Sequence, residues 1–303
     1  MRQAIMGAAV GFIGFGEAGY HIAKGLHGAG LSPIFAYDVA LESDAHRARI
    51  ETRAADADVA LCKSLADLAR CSEIIFCTVV SSVAITVAKE VVAHLGGQHY
   101  YVDLNSTSPA VKKQIAEIIA PSGARFVEAA VMAAVPPFGH KVPMLLCSEA
   151  AAKLIARLSA YGMSLEDFGS EIGRATATKM FRSIVVKGLE ALLLECTMAA
   201  SRYGVCEKVL ESVGAGYPGI DWNQLANYLI GRTAVHGERR AHEMEEVALT
   251  LQAMGIEPIM AEAAAKRIMG FAKLGLKERF DGKAPESYHE VMRALEEAPE
   301  TQQ

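Results

Sequence analysis

The chain has 303 residues, 51% hydrophobic and 21% charged, with a formal net charge of −5. That length and hydrophobic content suffice for two domains with sizeable cores and exclude intrinsic disorder. The acidic balance, with no basic run and no basic–aromatic interleaving, excludes nucleic acid as an expected partner.

From Val10 to about Gly169, short apolar runs alternate with helical ones. Strands are expected at 10–15 (VGFIGF), 33–38 (PIFAYD), 58–62 (DVALC), 73–80 (EIIFCTVV), 99–105 (HYYVDLN), 124–131 (ARFVEAAV) and 142–148 (VPMLLCS). Between them EAGYHIAKGLHGAG, SLADLARC, SVAITVAKEVVAHLGG and PAVKKQIAEIIAPSG read as helices. Near-continuous apolar strands alternating with helices indicate an α/β domain with a mostly parallel sheet covered on both faces. After Gly173 the alternation stops, and helices are expected at 174–203, 207–214, 221–231, 232–254, 258–275 and 286–298. Gly204, Gly219, Gly255 with Pro258, and DGKAP mark the breaks. The division is therefore an α/β domain over 1–172 and an all-α domain over 173–303.

The opening MRQAIMGAAVGFIGFG has the apolar look of a secretory segment but runs straight into a glycine-rich turn and helix. No apolar run approaches the ~18 residues that span a bilayer. Cys62, Cys71, Cys77, Cys147, Cys196 and Cys206 are scattered singly, without a C-x-x-C. A cytoplasmic protein with no membrane partner is expected. His242-Glu243 begins like H-E-x-x-H but lacks the second histidine, so no metal is expected.

Gly14, Gly16 and Gly19 form G-x-G-x-x-G between the first strand and helix. In such a turn the first glycine allows the tight bend and the second lets backbone approach a pyrophosphate. The third lets helix and strand pack closely, and the helix N-terminus holds the anion. Asp38 ends the next strand 19 residues after Gly19, where the diol of a dinucleotide's ribose would lie. A carboxylate accepts from a 2′-hydroxyl and repels a 2′-phosphate, and Val39 and Ala40 supply no cation. NAD is thus favoured over NADP, with Arg47 and Arg49 the cations that could fold back toward a phosphate.

The stretch ATKMFRSIVVKGLEALLLE (177–195) places Lys179, Ser183, Lys187 and Glu190 within roughly an 80° helical stripe. Such a stripe either faces solvent or lines a cleft. Arg232, His236 and Arg240 form a second stripe at i, i+4, i+8. It is either an anion site or a row of ion pairs to Glu243, Glu245 and Glu246 along the same helix.

Together these segments resemble the β-hydroxyacid dehydrogenase superfamily, which includes 3-hydroxyisobutyrate and 6-phosphogluconate dehydrogenases. GFIGFGEAG resembles its cofactor loop, and VDLNSTSP (102–109) its D-x-S-T-x-x-P segment. FVEAAVMAAVPP (126–137) falls where its D-A-P-V-S-G-G segment does, and GRATATKMFRS (173–183) resembles its G-x-G-x-x-x-K-x-x-x-N motif. The helical half looks like a subgroup with its own C-terminal domain.

The resemblance implies a Rossmann-type first domain. It implies cofactor contacts from Gly14, Phe15, Gly16, Glu17, Ala18, Gly19, Asp38, Val79, Val80 and Asn105. It makes Lys179 the catalytic lysine, a base for the alcohol proton as hydride leaves carbon, with Ser183 in place of the motif's asparagine. Substrate contacts are expected at Ser106, Thr107, Met132 and Lys187, the last being either a contact or a partner of Glu190. Arg232, His236 and Arg240 are candidates for an anionic group. Three positions depart from the pattern: Ser183 for asparagine, Met132-Ala133-Ala134 for S-G-G, and His242-Glu243 for a Lys-Asp pair. The expected activity is hydride transfer between a hydroxy acid or related alcohol, bulky or aromatic, and NAD or NADP. The alternatives are imine reduction or a non-catalytic dinucleotide-binding regulator. A homodimer or higher homo-oligomer built on the helical half is expected.

Overall fold

The computed structural model describes residues 9–297. The segment before Ala9 and residue 298 of the expected last helix lie outside the described residues. The chain divides into two compact units, the first running through Lys179 and the second starting at Met180.

The first unit is an eight-stranded sheet: β1 (Val10–Ile13), β2 (Ile34–Tyr37), β3 (Ala60–Leu61), β4 (Ile74–Cys77), β5 (Tyr100–Asp103), β6 (Arg125–Val131), β7 (Met144–Cys147) and β8 (Leu165–Asp167). Their order across the sheet is β3-β2-β1-β4-β5-β6-β7-β8, all pairs parallel except β6–β7. The order reverses at β1, whose neighbours are β2 and β4. In open parallel sheets that reversal leaves a crevice beyond the carboxyl ends of the strands. The strands are buried on both faces because helices cover both, which explains their unbroken apolar runs: β1, β4 and β5 are buried at every position. Phe12, Phe76 and Ile22 pack on one side, Ile75, Tyr101 and Ile115 on the other.

The covering helices are α1 (Glu17–Gly28), α2 (Asp44–Ala57), α3 (Leu65–Cys71), α4 (Ala84–Val91), α5 (Pro109–Ile119) and α6 (Ala151–Leu158). Sequence reading leaves out α2, α6 and β8. Helix α2 (DAHRARIETRAADA) is rich in charge and buries only Ile50, Ala54 and Ala57, so it carries little apolar periodicity. Helix α6 does carry it, through Ala151, Leu154 and Leu158. Strand β8 is a short polar edge. The expected strands are otherwise present and shorter than drawn; 58–62 shrinks to the two residues of β3.

Between β6 and β7 the loop is closed at its base by Met132 N–H donating to the Pro143 carbonyl at 2.9 Å. Its single turn, Gly139–Lys141, lies against α1, and a Cβ at Gly25 would come within 2.2 Å of His140 Nδ1.

The second unit is helical. Helix α7 (Arg174–Ser201) enters it, followed by α8 (Cys206–Gly216), α9 (Trp222–Ala253), α10 (Ile259–Ala272), α11 (Leu276–Arg279) and α12 (Tyr288–Glu296). The two helices expected at 221–231 and 232–254 are one, α9, kinked at His236 (φ −118°, ψ 15°). A core of Leu194, Leu229, Ile230, Met244, Val247, Ile268 and Tyr288 joins α7, α9, α10 and α12. No helix among the described residues is long and apolar enough to cross a membrane.

Candidate functional site

The glycine-rich turn follows β1 directly. Gly14 has φ +83°, and a Cβ there would sit 2.8 Å from the Thr78 carbonyl, so both backbone angle and space require glycine. A Cβ at Gly19 would lie 2.8 Å from the Gly14 carbonyl, which fixes how closely α1 packs on the turn. A Cβ at Gly16 would meet nothing within 4 Å. That position therefore faces open space, as a pyrophosphate approach requires. Gly16 is the N-cap of α1 and supplies no side-chain cap, leaving first-turn N–H groups for an anion. Exposed Glu17 occupies that first turn and Ala18 is half-buried.

Asp38 does more than end β2. Its Oδ2 accepts the Phe15 N–H at 2.6 Å and its Oδ1 accepts the Ala40 N–H at 2.8 Å. The carboxylate thus ties the glycine turn to the loop after β2. Phe15 contributes backbone, since its ring is fully buried in the sheet's core. Arg47 pairs with Asp44 at 3.7 Å on α2, and Arg49 lines the cleft between α1 and α2 with Tyr20 and Arg53. Thr78, absent from the sequence reading, donates to the Gly14 carbonyl at 2.6 Å. Val79 and exposed Val80 follow it.

At the end of β5 lies a buried polar cluster. Asp103 and Lys112, both fully buried, pair at 3.0 Å, and Lys112 Nζ also donates to the Asp103 carbonyl at 2.9 Å. Asn105 Nδ2 donates to Asp103 Oδ1 at 2.6 Å and toward Cys77 Sγ at 3.3 Å. Because a carboxylate only accepts, this fixes which end of the amide is nitrogen. Burial, with the Asp103 charge nearby, pushes the Cys77 thiol up to about 11. Asn105 Oδ1 and Thr107 Oγ1 are buried without a partner among the described residues. An orphaned buried acceptor is costly unless a ligand's donor reaches it. The carboxamide N–H₂ or a ribose hydroxyl of a nicotinamide dinucleotide is such a donor, so the residues present fit that cofactor.

Ser106 is exposed beside them, its carbonyl accepting from Ser81 Oγ at 2.8 Å. Ser108, as expected, caps α5, accepting the Val111 N–H at 3.3 Å. Lys179, in the first unit's share of α7, donates from Nζ to Ser106 Oγ at 2.8 Å. The start of α7 is held from β6. Glu128, fully buried, accepts the Gly173 N–H at 2.5 Å and the Thr176 N–H at 2.6 Å. Sequence reading passes over Glu128 because it lies in an apolar run, where the signal is only that a charge interrupts it, and over Lys112 because it stands in a mixed, partly charged helix beside Lys113. Met132 begins the β6–β7 loop, half-buried, with Val135 buried and Phe138 half-exposed.

In the second unit the polar stripe of α7 meets α9. Lys187 pairs with Glu243 at 2.7 Å and donates to Ser183 Oγ at 3.2 Å. Its partner is thus Glu243 and not the expected Glu190. Burial holds the Lys187 ammonium below its ordinary pKa, while Glu243 pulls the other way. Glu190, fully buried, accepts from Nε and Nη2 along one edge of the Arg240 guanidinium and from the Thr233 hydroxyl. Arg240, expected either to bind an anion or to pair along its own helix, is consumed by this cross-helix pair. Arg232 bonds Tyr228 and stacks on its ring at 5.1 Å. His236 is exposed at the kink, which breaks the i, i+4, i+8 stripe. Among the described residues no three His, Cys, Asp or Glu side chains could hold a metal.

Residues 9–136 match the family described as the NAD binding domain of 6-phosphogluconate dehydrogenase, and residues 200–269 match a domain of unknown function, DUF1932. A conserved hypothetical protein from Sinorhizobium meliloti 1021 is 36% identical, with 96% of each chain covered and a TM-score of 0.78. The conserved protein MTH1747, of unknown function and described as structurally similar to 3-hydroxyacid dehydrogenases, is 31% identical. It covers 91% of this chain and 100% of its own, with a TM-score of 0.71. A 3-hydroxyisobutyrate dehydrogenase from Mycobacterium tuberculosis, solved with L-serine, shares the fold at a TM-score of 0.72 and 16% identity over 96% and 99% of the chains. The glycine turn, the sheet reversal at β1 and these matches lead to one assignment: the chain belongs to the β-hydroxyacid dehydrogenase superfamily, in a conserved subgroup that joins a 6-phosphogluconate dehydrogenase-type NAD-binding domain to a DUF1932 helical domain.

Proposed function

We propose that the protein is an NAD(P)-dependent dehydrogenase that oxidises a hydroxy acid or related alcohol, with Lys179 as general acid/base. The observation that carries this is Lys179 Nζ, 2.8 Å from Ser106 Oγ, beside the orphaned acceptors Asn105 Oδ1 and Thr107 Oγ1. A bound nicotinamide dinucleotide would supply the hydride acceptor, held at the Gly14–Gly19 turn and Asp38. An ammonium has only hydrogens to give, so Ser106 Oγ accepts from it and directs its own proton to a further acceptor. A carboxylate or carbonyl oxygen of the substrate suits that arrangement; an iminium does not. In its neutral form Lys179 takes the alcohol proton, and as the ammonium it returns one in the reverse direction.

Asp38 favours NAD over NADP, because a 2′-phosphate would meet a carboxylate already fixed in place by two N–H groups. Met132, Val135 and Phe138 supply carbon where relatives with an S-G-G segment have hydroxyl and bare backbone, which favours a bulky or aromatic substrate. Burying a Met-sized side chain against a ligand is worth roughly 1.5–3 kcal/mol. Exposed Val185 and Leu192 on α7, Met254 and Ile256 between α9 and α10, and Ile259 and Met260 at the start of α10 support a homodimer through the helical unit. Six unpaired cysteines suit a cytoplasmic setting.

The test is NADH or NADPH production by the purified protein across aliphatic and aromatic hydroxy acids and diols. Absence of turnover with every class, despite measurable dinucleotide binding, overturns the enzyme reading. Better turnover of gluconate-like acids than aromatic ones overturns the apolar-pocket reading. Sedimentation equilibrium at micromolar concentration tests the dimer.

A further inference from the structure

Backbone N–H groups at the start of a helix have no acceptor within it and need one from outside. For α7 that acceptor comes from 45 residues upstream. Glu128 stands within β6, between Val127 and Ala129, and spends one carboxylate oxygen on the Gly173 N–H and the other on the Thr176 N–H. Its charge sits where the helix dipole favours an anion.

A second contact acts on the same turn. Gly173 has φ +99°, and a Cβ there would lie 3.2 Å from Pro109 Cβ and 3.3 Å from the Pro109 carbonyl. Pro109 opens α5, three residues after Ser106. The start of α7 is therefore pressed against the loop that carries Ser106 and pinned from behind by β6. Lys179 follows Thr176 by three residues, about 4.5 Å along the helix axis. A rotation or slip of the first turn would be carried directly to its Nζ.

We infer that Glu128 is the positioning residue for Lys179: it sets the axial and rotational register of α7 so that the lysine meets Ser106. The residue must be a carboxylate, since two N–H donors need two acceptors. A glutamine would offer one and turn an N–H₂ toward the other amide. The inference rests on Lys179 being the working lysine. Its readout needs no substrate, so it fails separately from the dehydrogenase assay.

The test uses the full-length protein as wild type, Glu128→Gln and Glu128→Asp. Hydrogen–deuterium exchange of peptides covering 173–180 should be about tenfold faster in Glu128→Gln, with peptides of β1 and β4 unchanged. Competitive acylation by acetic anhydride, followed across pH by mass spectrometry, should show Lys179 reacting several-fold faster relative to exposed Lys63, with a shifted midpoint. Glu128→Asp keeps both acceptors but retracts them by one methylene. It should protect the amides and give intermediate Lys179 labelling. If Glu128→Gln does not fold, Glu128→Asp decides alone by that labelling. Wild-type Lys179 reactivity in every variant that folds overturns the inference. So does exchange that rises equally in β1 and β4, which would make Glu128 a core support and nothing more.

Discussion

The polar cluster at the end of β5 and the polar stripe between α7 and α9 use the same kinds of residue under similar burial, yet they end differently. In the first, Lys112 pairs with Asp103, which in turn orients Asn105, and Asn105 Oδ1 and Thr107 Oγ1 are among the acceptors that remain unspent. In the second, Glu190 is filled by Arg240 and Thr233, and Lys187 is held by Glu243 and Ser183. A buried charge that has found its partner is a strut. A buried acceptor still wanting a donor has capacity left for a ligand's hydrogen bond. What separates site from scaffold here is the remaining hydrogen-bonding capacity, and the density of charged residues does not reveal it.

The sharpest way to break this comparison is to remove the lysine that bonds Ser106, next in the chain to the first set, and one member of the second. Lys179→Ala should lower kcat/KM by about 10²–10⁴-fold, the usual contribution of a positioned acid/base, with dinucleotide affinity nearly unchanged. Steady-state kinetics and a fluorescence titration of NADH measure the two. Turnover that survives would move the chemistry away from the α7 lysine.

Glu190→Ala should act on stability instead. Breaking a buried pair costs about 3–5 kcal/mol because the remaining charge is stranded. Denaturant unfolding should show that loss. The double variant Glu190→Leu/Arg240→Met should recover most of it, since Thr233 keeps its bond to the Leu229 carbonyl at 2.8 Å. A double variant that folds like the wild type but no longer turns over would mean that Arg240 serves the substrate after all.

A smaller effect is expected at Asp38. A hydrogen bond to a charged group is worth roughly 1.5–3 kcal/mol, so Asp38→Asn should cost at least about tenfold in NAD affinity and narrow the preference over NADP. Asp38→Ala should weaken both cofactors, because the Phe15 and Ala40 N–H groups lose their acceptor. Asparagine keeps an acceptor for only one of those amides, so both variants loosen the loop; in a titration of both dinucleotides, the loss common to the two reads loop anchoring and the change in their ratio reads ribose recognition.

The smallest effect is a pH slope. The Lys187 pKa is lowered on folding, so between the folded value and the ordinary 10.5 the unfolded chain binds the extra proton. Stability from this group therefore rises with pH through that window and is reduced below it. The stability difference between wild type and Lys187→Met, with Glu243 still paired to Arg239, should shift in favour of wild type as pH climbs toward 10.5. A difference that stays flat with pH would mean that Lys187 is not perturbed.

The sheet and the glycine turn were legible because each rests on local pattern. Apolar runs such as EIIFC must be buried on both faces, and a glycine at position 14 answers a positive φ. Ser108 was legible as a helix cap through its place before Pro109. The partners were not. That Lys187 meets Glu243, or that Glu190 meets Arg240, depends on how α7 and α9 align, and helical spacing alone does not set that alignment. Glu128 and Thr78 escaped for a related reason: each acts on a backbone group far away in sequence, and backbone groups carry no residue-type signal. The charged helix α2 was missed because it buries only three small contacts.

The absence of a side chain at Gly25 has a mechanical consequence. His140 fits against α1 only because nothing projects from residue 25, and the loop from Met132 to Pro143 is closed on itself at its base. That loop is therefore moored to the helix whose N-terminus faces the dinucleotide. If Met132 and Val135 form the wall proposed for a substrate, that wall is tied through His140 to the helix that carries the glycine turn. Enlarging residue 25 would act as a wedge, shifting that wall without altering any side chain in it.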